Sequence, residues 1–234
     1  MFISFIVFDV LLGGSVVAWN WLRRQPTDKG VIKPLRSVLE TNEKLFKGTL
    51  GSNATVRTFS KAEVVKNARV NGLIGIPANA EPDSWRMQVI KRPGEVLTIS
   101  LDDLKKLPKS EVTFDFKCIE GWDQITNWGG VTVRDFMTHY GLQSFSQMQY
   151  AGLQTIDKRY YVGIDMASFL LPQTMLCYEM NGEPLSVKHG YPLRLIIPIK
   201  YGIKHLKCIG TLFFSNDRPP DYWAENGYDY YAGF

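Results

Sequence analysis

The sequence predicts a strand-rich α+β fold with short helices, preceded by an apolar N-terminal helix. Several short runs of alternating apolar and polar residues are bounded by turn residues, which is typical of strands. The helical segments between them are short and carry capping residues, and no regular βαβ alternation is visible. With 234 residues, of which 45% are hydrophobic, the chain is long enough to bury a substantial core.

Residues 1–24 are almost wholly apolar, and the run ends in Trp19, Trp21, Arg23 and Arg24. A segment of this length can span a bilayer with aromatic and basic residues as interfacial anchors. A signal peptide carries its positive charge before the apolar run and a small-residue cleavage site after it, and neither is present. We therefore expect a membrane anchor, with a core-packing helix as the alternative.

Residues 25–66 are expected to form a polar connector with one amphipathic helix. Pro34 suits the first turn of a helix, and Gly48 ends it. Apolar residues recur between them at helical spacing, namely Leu35, Val38, Leu39, Leu45 and Phe46. This pattern predicts a helix that packs on the surface of the following domain.

Residues 67–234 are expected to form the main domain. Its predicted strands are WRMQVI, VLTIS, EVTFDFK, QMQYAGL, TMLCYEM, LRLIIPI and KCIGTLFFS. Two short helices are predicted to begin after the capping residues Ser100 and Thr132. Asn181 and Gly182 form a typical two-residue hairpin turn after the TMLCYEM strand.

Composition excludes several classes of function. The 27 Lys and Arg against 23 Asp and Glu give a net charge of only +4, and no basic run is interleaved with aromatic residues, so we expect no nucleic-acid partner. The three cysteines, Cys118, Cys177 and Cys208, show no CxxC spacing, which argues against a disulfide framework or a four-thiolate zinc site. This composition leaves small anions open as ligands.

Cys118 lies just past the EVTFDFK strand, where a glycine-rich stretch begins. A thiol in such a loop can contact a ligand, whereas Cys177 and Cys208 lie inside apolar strands and are expected to be buried. A second unusual stretch, HGYPLRLIIPIKYGIKHLK, places cationic and donor groups at both ends of one apolar strand, at His189, Arg194, Lys200, Lys204 and His205. Such a cluster beside a glycine favours a site for phosphate or another multiply charged anion.

Five stretches in this order, CIEGW, WGGV, LLPQTMLCYEMNGEPL, HGYPLR and PIKYGIK, resemble the sulfite-oxidase-like molybdopterin family, in particular its YedY-like branch. The resemblance spans about residues 70–228 and implies a sulfite-oxidase-type molybdopterin-binding fold with a molybdenum-molybdopterin cofactor. It implies that Cys118 is the one protein ligand to molybdenum, a role that suits a soft thiolate.

The resemblance also implies roles for further residues. Glu120, two residues after the cysteine, is expected to act beside the metal without ligating it. The resemblance implies that His189 and Arg194 bind the pterin and its phosphate. The full set of implied cofactor contacts is Asn67, Thr155, His189, Arg194, Gly202, Ile203 and Lys204.

The activity that the resemblance implies is oxygen-atom transfer. Sulfite-oxidising members carry basic residues after the metal cysteine, whereas this chain has Trp122 and Asp123, and a carboxylate repels an anionic substrate. We therefore expect reduction of a sulfoxide-type substrate, either a small molecule or methionine sulfoxide. Sulfite oxidation stays open because arginines from elsewhere in the fold could enter the pocket, and a non-catalytic cofactor- or anion-binding module is the alternative of another class.

The sequence contains no haem-attachment CxxCH, so electrons are expected to pass to or from a membrane redox partner, either a haem protein or a quinone-linked one. YedY-like relatives work in the periplasm, so the resemblance implies a domain that faces the periplasm or the cell exterior. Arg23 and Arg24 would instead place the domain on the cytoplasmic side by the positive-inside rule. The cytoplasmic face therefore stays open.

Overall fold

The computed structural model describes residues 2–76 and 84–233. Its α-helices are α1 (Phe2–Arg23), α2 (Lys33–Thr49), α3 (Leu101–Lys105), α4 (Val133–His139), α5 (Met166–Phe169) and α6 (Tyr222–Glu225). Its strands are β1 (Thr27–Asp28), β2 (Val31–Ile32), β3 (Met87–Arg92), β4 (Glu95–Ile99), β5 (Ser110–Lys117), β6 (Asp123–Thr132), β7 (Tyr150–Thr155), β8 (Tyr161–Asp165), β9 (Met175–Met180), β10 (Glu183–Pro184), β11 (Arg194–Ile196) and β12 (Ile209–Ser215).

Two larger sheets carry the domain, and β1 and β2 form a separate small hairpin. One sheet has the order β4-β3-β12-β7-β8, in which β3 and β12 are parallel and the other neighbours are antiparallel. The other has the order β10-β9-β6-β5, with β11 also paired to β9. The main apolar core includes side chains from both sheets, such as Val89 of β3 and Leu176 of β9. The predicted strand-rich α+β class is confirmed.

Several local predictions are also confirmed. Ser100 and Thr132 cap α3 and α4 by accepting hydrogen bonds from the backbone N–H groups of Asp103 and Asp135. Asn181 and Gly182 adopt positive φ angles of 54° and 85° between β9 and β10, as a tight hairpin requires.

The sequence does not predict β6, which contains the WGGV stretch that resembled a loop. Gly130 explains the difference, because a Cβ there would lie 2.1 Å from the carbonyl oxygen of Leu176 on β9. Glycine therefore allows two strands to approach closely at a register shift between Gly129 and Gly130. The true loop after Cys118 is only residues 118–122.

Helix α1 is 22 residues long, and its side chains are exposed from Ile3 to Trp21. Among the described residues it is the one helix long and apolar enough to cross a membrane.

Helix α2 is present as predicted, and it packs on the domain through the charged residues Arg36 and Glu43 together with Phe46, whose ring stacks on that of Tyr231 at 5.8 Å. Arg36 and Glu43 are 8% and 3% exposed, whereas Leu35, Val38 and Leu45 are 47%, 55% and 62% exposed. The reason is that the segment it covers, residues 218–231, offers an arginine and backbone carbonyls to the two buried charges. The apolar spacing predicted the helix correctly, and Leu39 and Phe46 lie toward the domain, but Leu35, Val38 and Leu45 do not.

The residues that follow α2 lie along the sheet that contains β5 and β6. Thr58 forms a β-bridge with Phe114, and the N–H of Val65 donates to the carbonyl of Ile125 at 3.1 Å. This part of the connector therefore packs on the domain that carries the candidate site.

Candidate cofactor site

Cys118 lies in a short turn between β5 and β6. The backbone N–H of Cys118 donates to the carbonyl of Trp122 at 2.9 Å, and Gly121 supplies the positive φ of 86° that closes the turn. The thiol is one wall of an open cleft with about 650 Å³ of empty space. The cleft is lined by Asn71, Gly72, Ile74, Cys118, Ile119, Glu120, Tyr160, Gly202, Ile203, His205, Lys207, Trp223 and Tyr228.

Of the three cysteines, only Cys118 lines this cleft. Burial raises the pKa of its thiol, so the free protein holds it as a neutral thiol. Cys177 and Cys208 are fully buried. Burial also raises the pKa of both of these thiols, that of Cys208 to about 11.

Arg194 is 1% exposed and does not line the cleft itself, but it contacts Asn71, which does. Its Nη1 and Nη2 donate to the carbonyl of His189 at 3.1 Å and to Oδ1 of Asn71 at 3.0 Å. Its guanidinium also lies over the rings of Phe116 and Trp128, 5.4 and 4.7 Å from their centroids. Burial lowers its pKa to about 9, and among the described residues no carboxylate pairs with it.

Lys207 is a second buried cation at the same place. Its ammonium donates to the carbonyls of Asn71, Gly72 and Lys188 at 2.6, 2.8 and 2.8 Å. Burial and then the charge of Arg194 lower its pKa to about 7. In the described part of the chain this ammonium, like Arg194, has no carboxylate partner. A buried positive charge that has no carboxylate partner favours the binding of an anionic ligand.

The other buried lysines differ in this respect. The Lys204 ammonium pairs with Asp221 and donates to the carbonyl of Gly163 at 3.0 Å. Lys200 pairs with Asp165 at 3.1 Å. The charge of Lys204 is therefore already compensated by a carboxylate away from the cleft lining.

The remaining residues of the expected cofactor set occupy different places. Gly202 and Ile203 line the cleft, and a Cβ on Gly202 would lie 2.9 Å from the ring of Phe116. The half-buried side chain of His189 has its pKa lowered to about 4 by burial, and then by Arg194 and Lys207.

Thr155 is 1% exposed, and its hydroxyl donates to Asp157 and accepts from the N–H of Tyr160. It therefore lies behind Tyr160 instead of lining the cleft. Asn67 is exposed outside the cleft, whereas Asn71, four residues later, lines it and contacts Arg194.

The mouth of the cleft carries a three-residue cluster. Oε2 of Glu120 accepts a hydrogen bond from Nε1 of Trp122 at 2.8 Å and lies 3.9 Å from the guanidinium of Arg69. Arg69 also lies over the Trp122 ring, 4.7 Å from its centroid. Glu120 is exposed and therefore contacts solvent as well as any ligand in the cleft.

The far wall is aromatic. The Tyr160 hydroxyl donates to the carbonyl of Ile203 at 2.5 Å, and burial raises its pKa, so it stays protonated. Trp223 and Tyr228 pack edge to face with ring centroids 4.9 Å apart. The sequence interpretation did not include these aromatic residues, Asn71 or Lys207. In the stretch YGIKHLK, residue type marks Lys207 as a candidate equal to Lys204, and only the structure separates the two.

A model of the family described as the oxidoreductase molybdopterin-binding domain matches residues 74–223. The chain belongs to this family. Among relatives of this molybdopterin-binding chain is YedZ1 of Azospira oryzae, provisionally named as a protein-methionine-sulfoxide reductase subunit, at 35% identity over 64% of this chain and 56% of the relative. Another is the catalytic subunit MsrP of protein-methionine-sulfoxide reductase from Campylobacter jejuni, at 29% identity over 68% of this chain and 59% of the relative.

Mitochondrial sulfite oxidase of Rattus norvegicus is also similar, at 29% identity over 64% of this chain and 32% of the relative. The chain thus spans a little over half of the two reductase relatives and about a third of the sulfite oxidase. The sulfane dehydrogenase SoxCD of Paracoccus pantotrophus shares the fold, with a TM-score of 0.53 at 18% identity over 60% of this chain and 40% of that one.

Proposed function

We propose that this chain is a molybdenum-molybdopterin-dependent oxidoreductase that catalyses oxygen-atom transfer and reduces a sulfoxide-type substrate. The observation that carries the proposal is a pair of buried cations at the cleft that contains the Cys118 thiol. Lys207 lines this cleft, and Arg194 donates to Asn71, which also lines it. A pterin phosphate would supply the missing negative charge, and the Cys118 sulfur would supply a soft ligand for molybdenum.

The residues present fit this cofactor. The described residues contain no group of three or more His, Cys, Asp or Glu side chains that could hold a metal by themselves. A metal with one protein ligand must receive its other ligands from elsewhere, as the dithiolene sulfurs of a pterin provide. Nε of Arg194 is buried and has no hydrogen-bond partner among the described residues, which leaves a donor for the cofactor.

When bound, the cofactor supplies two-electron redox chemistry at molybdenum. We assign Cys118 as the metal ligand and Arg194 and His189 to the pterin phosphate. Lys207 and Asn71 join this set on geometry, and Gly202 and Ile203 give the cofactor close access to the backbone. For Lys204 we retain only its backbone as a contact. Thr155 is proposed to act through the position of Tyr160, and we give Asn67 no contact.

The substrate proposal rests on the mouth and walls of the cleft. Glu120 places a carboxylate at the mouth, which disfavours an anion such as sulfite, whereas a neutral sulfoxide is not repelled. Ile74, Ile119 and the rings of Trp223 and Tyr228 give an apolar wall suited to a thioether-like side chain, such as that of methionine sulfoxide. The name of the related MsrP supports the same substrate class.

One observation favours sulfite oxidation as a second candidate. Arg69 reaches the mouth from outside the cysteine loop, so it could hold an anion if it left Glu120. Arg69→Met would then abolish sulfite oxidation, whereas sulfoxide reduction would be largely retained because a neutral substrate does not need this charge.

We further propose that α1 anchors the chain in a membrane, with the domain facing the periplasm or the cell exterior. Electrons would pass to or from a membrane redox partner, a haem protein or a quinone-linked one. The length and apolar character of α1 support the anchor, and the resemblance to YedY-like proteins supports the orientation. Protease digestion of intact spheroplasts, with detergent-lysed cells as control, tests the orientation.

The decisive experiment measures molybdenum and pterin per chain in purified protein, followed by turnover with methionine sulfoxide and with sulfite. We expect about one molybdenum per chain and reduction of the sulfoxide. Arg194→Ala should lose pterin, whereas Arg134→Ala, at a partly exposed arginine that binds Ser52 and Asn53, should retain it. A folded protein that gains no molybdenum under loading conditions would contradict the proposal and favour a non-catalytic binding module.

A further inference from the structure

Helix α2 presents an apolar stripe to solvent. Leu35, Val38 and Leu45 fall within an arc of about 80° at 100° per residue. The buried Arg36 and Glu43 lie on a different face, about 130° from the centre of this arc. An exposed apolar face opposite buried charges is the reverse of the usual arrangement on a soluble domain, so the exposed face needs an apolar neighbour.

The position of α2 in the chain indicates which neighbour that is. The nine residues between Arg23 and Lys33 separate α2 from the transmembrane-competent α1 and include the β1–β2 hairpin, which brings the ends of the connection together. Even fully extended, nine residues span only about 30 Å. If α1 crosses a bilayer, the start of α2 lies near its surface.

Charge points to the same neighbour. The stretch from Arg23 to Lys33 contains Arg23, Arg24, Lys29 and Lys33 against the single acid Asp28. Basic residues beside a membrane-crossing helix are attracted to anionic lipid headgroups.

We propose that the stripe formed by Leu35, Val38 and Leu45 lies in the interfacial layer of an anionic bilayer, with α2 parallel to the membrane plane. This inference rests on the membrane anchor proposed for α1. A helix with an apolar face and basic flanks binds an interface in this way. Pairing with another helix is less favourable, because the stripe is interrupted by Asn42 and covers fewer than the three to four heptads of a coiled coil.

The other face of α2 links this contact to the cofactor cleft. Arg36 donates to the carbonyls of Tyr228 and Ala224, and Glu43 accepts from Arg218. Bilayer contact on one face of α2 would therefore fix the orientation of the aromatic cleft wall relative to the membrane.

The test uses the full chain, loaded with cofactor, in vesicles of phosphatidylcholine and phosphatidylglycerol. Single cysteines are introduced by Leu35→Cys, Val38→Cys or Leu45→Cys and spin-labelled, with Ser37→Cys and Lys44→Cys as matched controls on an exposed flank of the same helix. Labelled wild-type protein gives the background from the native cysteines. Collision rates with oxygen, which concentrates in lipid, and with a water-soluble nickel chelate are then measured.

We expect the ratio of oxygen to nickel collisions to be several-fold higher at the three stripe positions than at the two controls. Equal ratios at all five positions would overturn the proposal. Stripe labels shielded from both reagents would also overturn it, since that result indicates a protein neighbour, either a second copy or another subunit. Failure of the full chain to float with the vesicles would remove the anchor and this inference together, whereas molybdenum content and turnover of the same preparation report separately on the enzyme.

Discussion

The guanidinium of Arg36 donates to the carbonyl oxygen of Tyr228 at 2.9 Å and so connects α2 to the wall of the cofactor cleft. A second hydrogen bond, to the carbonyl of Ala224 at 3.4 Å, holds the other side of the same turn. Trp223 and Tyr228, which line the cleft, lie within or at the end of that turn. The connector thus contributes to the site without lining it.

Arg36→Met should loosen residues 222–228 without unfolding the domain. A hydrogen bond from a charged donor contributes about 1.5–3 kcal/mol, so local opening of this turn should become at least tenfold more frequent. Hydrogen exchange followed by mass spectrometry measures this, with β3 as internal reference and Lys44→Met on the exposed side of α2 as control. We also expect KM to rise while molybdenum content stays unchanged. Unaltered exchange in residues 222–228 would contradict a positioning role.

Cys118→Ser should abolish turnover and change the electronic spectrum of the metal centre, because serine oxygen is a harder ligand than a thiolate. Cys177→Ala should retain both activity and spectrum, since Cys177 is buried in β9 away from the cleft lining. Cys177→Ala is expected to lower only the free energy of unfolding, because it leaves a small cavity in the core. If both variants turned over normally, Cys118 would not be the ligand.

Lys207→Met and Lys204→Met should differ in their effects on cofactor content and on stability. Lys207→Met removes a buried charge that lacks a carboxylate partner among the described residues, but it also leaves the carbonyls of Asn71, Gly72 and Lys188 without their donor. The urea midpoint of the cofactor-free protein should therefore fall less than it does for Lys204→Met. The pterin content of Lys207→Met should fall. Lys204→Met leaves Asp221 unpaired in the interior and should cost roughly 3–5 kcal/mol of stability. Urea unfolding and pterin content of both variants check this, and full pterin content in Lys207→Met would exclude Lys207 from the cofactor site.

The Asp165–Lys200 pair should make stability depend on acid pH. Burial alone would raise the pKa of Asp165, but the charge of Lys200 and the N–H of Ser168 outweigh it and lower the pKa below the usual 3.8. The carboxylate therefore stabilises the fold above about pH 3.8, and this contribution is lost as the pH falls through the lower folded value.

Asp165→Asn should accordingly destabilise the protein at pH 7, and the difference from wild type should shrink below pH 4. Asp102→Asn, at an exposed position on α3, serves as the control and should show little difference at either pH. Urea unfolding at both pH values is the measurement. A difference that does not change with pH would show that the ionised carboxylate is not the source of the effect.

The sequence predicts most elements whose signals are local. Alternation predicted β5, a continuous apolar run predicted β9, and capping residues predicted α3 and α4, because these signals depend on neighbours in the chain. The glycines of β6 resembled a loop because their reason, the close approach of Leu176, is a tertiary contact. For α2 the spacing predicted the helix but not that Arg36 and Glu43 are its most buried residues, since that depends on the groups offered by residues 218–231.

The distinction between local signals and long-range contacts also applies to the candidate site. Cys118 could be selected from its place after a strand, and Arg194 from its position among donors. Asn71 and Lys207 could not be separated from Asn67 and Lys204 by type or spacing. Their separation depends on which lysine meets Asp221 and which asparagine meets Arg194, and both are long-range contacts.

The parallel pairing of β3 with β12 sets an order on assembly. β12 is at the centre of its sheet, and it is the last strand among the described residues, so that sheet cannot close until β12 has left the ribosome. Arg194 and Lys207 come shortly before β12, whereas Cys118 comes far earlier. A nascent chain therefore has no complete cofactor cradle. Insertion of the cofactor must follow synthesis of β12, and a loaded domain destined for the far side of a membrane would have to cross it as a folded body.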